Sequence, residues 1–116
     1  MNDSKYWLGF SLIPEIGPKR LFQLLRDFND LERAWNAPEA ELRRSSLEPL
    51  PLQNLLQHRR KIDLNQEMAR VAQVGAALVT WDDSAYPALL RTLSDPPTLL
   101  YVRGTLTPED ERANIK

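Results

Sequence analysis

The residues best placed to do chemistry are Ile16-Gly17-Pro18-Lys19-Arg20, preceded by Leu12-Ile13-Pro14-Glu15. The spacing predicts a tight hairpin between two helices, with an apolar residue turned inward and a glycine at the tip. The chemistry on offer is anion binding. A glycine at 17 can take a positive φ and let a phosphate approach backbone amides. The amides that open the next helix favour an anion. Lys19 and Arg20 fall in that first turn and can add charge-assisted contacts. Ile16, Gly17, Lys19 and Arg20 are therefore the candidate phosphate contacts. Glu15 opposes them, because an acid at the tip repels phosphate. A structural turn with both cations merely solvated is the alternative.

Two further basic clusters, Arg43-Arg44 and Arg59-Arg60-Lys61, lie near predicted helix C-termini. The helix dipole favours cations there in any case, so a solvated face competes with a secondary phosphate patch. Stacking on bases needs an exposed ring beside basic residues. Of Tyr6, Trp7, Phe10, Phe22, Phe28 and Trp35 only Tyr6 or Phe22 could serve, and a core role is expected for both. Asp82-Asp83 invite a metal or acid–base reading, but at a strand end they are expected to cap backbone amides. The chain has no cysteine and a single histidine, His58, set among Gln57, Arg59 and Arg60. No Walker A loop, no Gly-x-Gly-x-x-Gly and no Gly-x-Ser-x-Gly occurs. No metal, cofactor or catalytic activity is expected.

The elements that must carry these residues follow from periodicity. Tyr6, Trp7, Phe10 and Ile13 recur at helical spacing behind a Ser4 cap, and Pro14 ends the run. Pro18 suits a first helical position, and Leu21, Leu24, Leu25 and Phe28 line one face of the second helix. Asp30 caps a third helix carrying Leu31, Ala34 and Trp35, and Pro38 opens a fourth through Leu42. Pro49-Leu50-Pro51 reads as a rigid joint. A helical pattern follows from Leu52, with a break and new cap at Asp63 and a left-handed stop at Gly75. Ala76 to Thr80 and Leu99 to Arg103 read as strands, the second ending on Gly104. A helix from Tyr86 to Leu90 lies between them, so parallel pairing is expected.

Of 116 residues, 42% are apolar and 27% charged, with a net charge of -1. That is ordinary for a soluble globular chain and argues against strong nonspecific nucleic-acid binding overall. Residues 1–61 carry ten Lys and Arg against eight Asp and Glu; residues 62–116 carry five against eight. Phosphate contacts are therefore sought in the first part. No apolar run approaches the ~20 residues of a membrane span, and Met1-Asn2-Asp3-Ser4 lacks a secretory signal layout. Cytoplasm is the expected compartment.

Trp7-Leu8, Ile16-Gly17-Pro18, Leu24-Leu25, the helix ending at Gly75, Asp82…Tyr86-Pro87-x-x-Leu90 and Asp95-Pro96-Pro97-x-x-Leu100-Tyr101-Val102-Arg103-Gly104 occur in one order. Together they resemble the DNA-processing protein A family (DprA, also called Smf), from about Tyr6 to Gly104. The resemblance implies an α+β fragment in two parts. Residues 1–61 would form a small helical bundle, sterile-alpha-motif-like with a helix-hairpin-helix element. Residues 62–116 would form the first strands and helix of a Rossmann-like domain. It implies a parent that binds single-stranded DNA in natural transformation, protects it and helps load the RecA recombinase. Homodimerisation is implied as well, and no membrane. The main DNA pocket is expected beyond Lys116. Two rivals stay open: a helical protein-interaction or dimerisation module without DNA contact, and the start of a Rossmann-type nucleotide-binding enzyme.

Overall fold

The structure is a computed structural model that describes residues 4–94 and 96–103. Of the expected second part, Asp95 and residues 104–116 lie outside the described residues. Within them are seven helices: α1 (Ser4–Ser11), α2 (Pro18–Phe28), α3 (Leu31–Asn36), α4 (Glu39–Arg43), α5 (Pro49–His58), α6 (Leu64–Gln73) and α7 (Ala88–Arg91). Two strands, β1 (Ala76–Thr80) and β2 (Leu99–Arg103), complete the α+β fold.

Most helix ends follow the expected chemistry. Asp30 accepts from the Arg33 amide and Asp63 from the Gln66 amide, which satisfies donors that the helix itself leaves orphaned. Asn29 at φ 73° ends α2, and Gly75 at φ 72° follows α6, both in the left-handed region that such residues tolerate. α1 starts at Ser4 itself rather than after it, within the usual scatter of helix ends. Pro49 and Pro51 are not a joint between elements. They stand in the first turn of α5, where a missing amide costs nothing because no carbonyl precedes it. Tyr86 precedes α7 instead of opening it, because a residue before proline is driven out of the helical region.

The principal core gathers Trp7, Phe10, Leu21, Leu24, Leu42 and Leu55, all nearly inaccessible to solvent. Phe10 meets Trp35 edge to face, with ring centres 5.0 Å apart. α1 runs through this core and touches α3, α6 and both strands. Gly9 is what allows that approach: a Cβ there would stand 2.5 Å from Leu64 Cδ2 and 2.9 Å from Trp35 Cη2. A second, smaller cluster joins Val79, Tyr86, Leu100 and Val102. Trp81 packs against both clusters.

β1 and β2 pair antiparallel, with Ala76 opposite Arg103 and Thr80 opposite Leu99. This overturns the parallel pairing expected from a helical crossover. α7 is only four residues long, about 6 Å of helix, against about 17 Å for a five-residue strand. Residues 81–94 and 96–98 instead fold up at one end of the ribbon. The Trp81 amide donates to the Thr98 carbonyl at 3.0 Å, just past the last strand pair. Tyr86 donates its hydroxyl to the Pro97 carbonyl at 2.6 Å. Arg91 donates to the carbonyls of Trp81 and Asp83 and lies over the rings of Trp81 and Tyr86.

An alanine at position 9 should destabilise the fold despite its higher helix propensity. Overpacking costs about 1–3 kcal/mol against about 1 kcal/mol gained in propensity, so the urea midpoint of Gly9→Ala should fall. A midpoint at or above that of the unaltered chain would show that Leu64 and Trp35 yield freely.

Candidate nucleic-acid interface

The α1–α2 hairpin turns on Glu15, not on Gly17. Glu15 has φ 71°, while Gly17 has φ -87° and ψ -173°. The positive φ expected at Gly17 is thereby corrected. Gly17 precedes Pro18, which forces extended backbone, so the reversal falls two residues earlier. A Cβ at Gly17 would meet nothing within 4 Å, so neither conformation nor space demands glycine there. Ile16 is buried in the principal core and anchors the turn.

Two side chains tie the tip down. Asn54 donates to the Pro14 carbonyl at 3.1 Å. Arg20 donates through Nη1 to the Glu15 carbonyl at 3.2 Å and through Nη2 to Glu48 Oε1 at 3.3 Å. Arg20 is thus turned toward the protein, with its charge balanced by Glu48. Lys19 is exposed and forms no ion pair among the described residues. Gly17 caps α2 through its backbone alone, with no side chain on the helix N-terminus.

The secondary patch divides in the same way. Arg59 donates to the carbonyls of Trp35 at 2.9 Å and Ala37 at 2.7 Å, closing the C-terminal end of α3. Burial, and then the neighbouring Arg60, push its pKa down, yet a guanidinium keeps its proton at any ordinary pH. Arg43 pairs with Glu39 at 2.6 Å, and Arg44 donates to the Ala40 carbonyl at 3.3 Å. Arg60 and Lys61 face solvent. Arg43 and Arg44 line different depressions. Asp83 accepts from the Ala85 amide and Asp82 from the Thr80 hydroxyl, so both acids serve the turn after β1.

Three adjoining depressions surround the start of α2. One, about 370 Å³, lies between the hairpin and β2 and is lined by Leu12, Ile16, Gly17, Pro97 and Tyr101 among others. A second, about 320 Å³, is lined by Gly17 to Arg20, Gln23 and Glu48. The third, about 770 Å³, is lined by Pro18, Lys19, Phe22, Gln23, Arg26, Ser94 and Pro96. Gln23, Arg26, Ser94 and Pro96 are absent from the site expected from the sequence. Helical spacing from Lys19 could have found the first two, and no sequence signal marks the other two. Phe22 is half-buried, packed against the principal core and edge-on to Trp81 with ring centres 5.1 Å apart, and Tyr6 lies within that core, in line with the core role expected for both.

No model of a known protein family matches the chain. The chain is similar to Protein Smf of Synechocystis sp. (strain ATCC 27184 / PCC 6803 / Kazusa), at 29% identity over 115 residues. The match takes in 98% of this chain and 29% of that protein, so the chain spans less than a third of its relative's length. The relationship to Smf is distant and runs along nearly the whole chain. No helix among the described residues is long and apolar enough to cross a membrane.

Two local features invite measurement. Glu15 pays for its left-handed backbone about 1–2 kcal/mol, part of which a glycine's larger unfolded freedom cancels. Glu15→Gly should therefore raise stability by about 0.5 kcal/mol, read as a higher urea midpoint; a drop would place the reversal elsewhere. Asp27 accepts from the Ser46 amide at 3.0 Å and hydroxyl at 2.7 Å. The amide bond first, then the hydroxyl, hold its carboxyl below the usual range. Such a group stabilises the fold above its unfolded pKa, about 3.9, and that stability is lost as pH falls through the lower folded value. Asp27→Asn should cost about 1 kcal/mol at neutral pH and flatten the loss of stability on acidification. An unchanged acid limb would rule Asp27 out as its source.

Proposed function

We propose that this chain is the N-terminal part of a non-catalytic protein that handles single-stranded DNA. In this reading the whole protein protects incoming DNA in natural transformation and helps load RecA onto it. The likeness to Smf along 98% of the chain carries the reading. The sterile-alpha-motif-like assignment of residues 1–61, the Rossmann-like assignment of 62–116, the cytoplasmic location and homodimerisation belong to it as well. The principal grip on DNA is assigned to the part of such a protein that follows this chain, and α2 contributes an accessory phosphate contact. The uncapped start of α2 and the exposed Lys19 beside it support that contact.

One observation favours a second reading. Glu48 neutralises Arg20, and Glu15 stands at the tip, as suits a helical module that contacts a protein rather than phosphate. A salt titration separates the two. Fluorescence anisotropy with a labelled single-stranded oligonucleotide should show affinity falling steeply with salt, by about 0.7 log units per log unit for each phosphate contact. Lys19→Ala should weaken binding and reduce that slope by roughly one contact. Absence of binding at low salt would assign the chain to the adaptor role.

A further inference from the structure

We propose that Ser46 is a phosphorylation site for a serine kinase that reads basic residues, and that the phosphate releases the α4–α5 loop from α2. Ser46 follows Arg43 by three positions and Arg44 by two, and Leu47 comes next. That order suits a kinase cleft with acidic subsites ahead of the acceptor serine and an apolar one behind it, because charge pattern is a main device of kinase–substrate specificity. The placement agrees. Residues 44–48 connect α4 to α5, and Arg43, Arg44 and Ser46 are all exposed. Arg43 pairs with Glu39 of its own five-residue helix, an exposed pair of the kind that a competing carboxylate displaces at little cost. The neighbouring Ser45 is a poorer acceptor. It is half-buried, donates to the Leu42 carbonyl at 2.6 Å and accepts from the Leu47 amide at 3.4 Å.

The consequence lies in what the Ser46 hydroxyl does now. Hydroxyl and amide of Ser46 both donate to Asp27 Oδ2, and so fasten the loop to the last turn of α2, nineteen positions earlier. In the transfer, Ser46 Oγ attacks the γ-phosphorus of ATP and the bond to the bridging oxygen breaks, releasing ADP. The hydroxyl proton passes to the carboxylate base of the kinase. The product has no hydroxyl donor left for Asp27, and it sets a charge of about −1.5 to −2 beside that carboxylate. Attraction becomes repulsion at the one carboxylate that both Ser46 groups use. An alternative partner is close by. Arg33 and Arg44 line the same depression as Asp27 and Ser46, and both are exposed and outside the ion pairs of the described residues. A phosphate leaving Asp27 gains charge-assisted hydrogen bonds from them, in competition with Glu41, which also lines the depression. The modification is thus a local charge change acting on a contact with two arrangements. It holds whether the chain contacts DNA or protein.

The test treats the whole folded chain with a purified serine kinase of Arg-Arg-x-Ser specificity and Mg-ATP, locates the phosphate by mass spectrometry, and then measures urea unfolding. We expect phosphate on Ser46 and none on the loop of Ser46→Ala. Replacing both arginines, Arg43→Gln with Arg44→Gln, should slow the reaction about tenfold through the lost charge-assisted contacts. The phosphorylated chain should unfold at lower urea than the unmodified chain. In Asp27→Asn phosphorylation should lower the midpoint less, because no carboxylate remains to repel the phosphate. Phosphate on Ser45 instead, on neither serine, or on Ser46 only after the chain has been unfolded would overturn the site. Phosphorylation of Ser46 that leaves the urea midpoint unmoved, or that lowers it equally in Asp27→Asn, would overturn the release from α2.

Discussion

The indole of Trp81 packs against both apolar clusters, and the geometry around α2 depends on it. On one side it meets Phe22 of the helical bundle; on the other it meets Tyr86 of the strand unit. Its backbone amide also closes the last rung beside the β1–β2 ladder. A two-stranded ribbon is marginal alone. Here its inner side chains Val79, Leu100 and Val102 pack with Tyr86, and Trp81 links that small cluster to the larger core. Through this link the strand unit is held against Phe22 of α2.

Proline sets the backbone at three places that matter for the site. It forces Gly17 into extended backbone and moves the hairpin's reversal to Glu15. It keeps Tyr86 out of α7, leaving the ring free to pack inward and its hydroxyl to reach Pro97. At Pro49 and Pro51 it opens α5, whose Asn54 then holds the hairpin from the far side. The hairpin is therefore braced by tertiary contacts, and the left-handed backbone at a non-glycine residue persists because its surroundings over-determine it.

The cations divide by what lies within reach. Arg20 donates through its two Nη atoms to the Glu15 carbonyl and Glu48 while its buried Nε finds no partner, and Arg59 donates to two carbonyls. Burying a guanidinium is tolerable only when such partners are present. Lys19, Arg26, Arg60 and Lys61 remain in solvent. Among the described residues only the first two line a groove together with an aromatic ring.

By itself the sequence determined the local elements. The period of Leu21, Leu24, Leu25 and Phe28 marked α2, Asp30 and Asp63 marked caps, Gly75 marked a stop, and the two apolar runs marked strands. These depend on nearest neighbours along the chain: dihedral limits, capping hydrogen bonds and the helical repeat. Tertiary structure decided the rest. Whether β1 and β2 pair parallel or antiparallel depends on where residues 81–98 find partners. Whether the Arg20 guanidinium turns outward or toward the protein depends on Glu48, twenty-eight positions away. The groove on α2 needs Ser94 and Pro96 as its second wall. Such choices are made by contacts between residues far apart in the chain, and no local spacing encodes them.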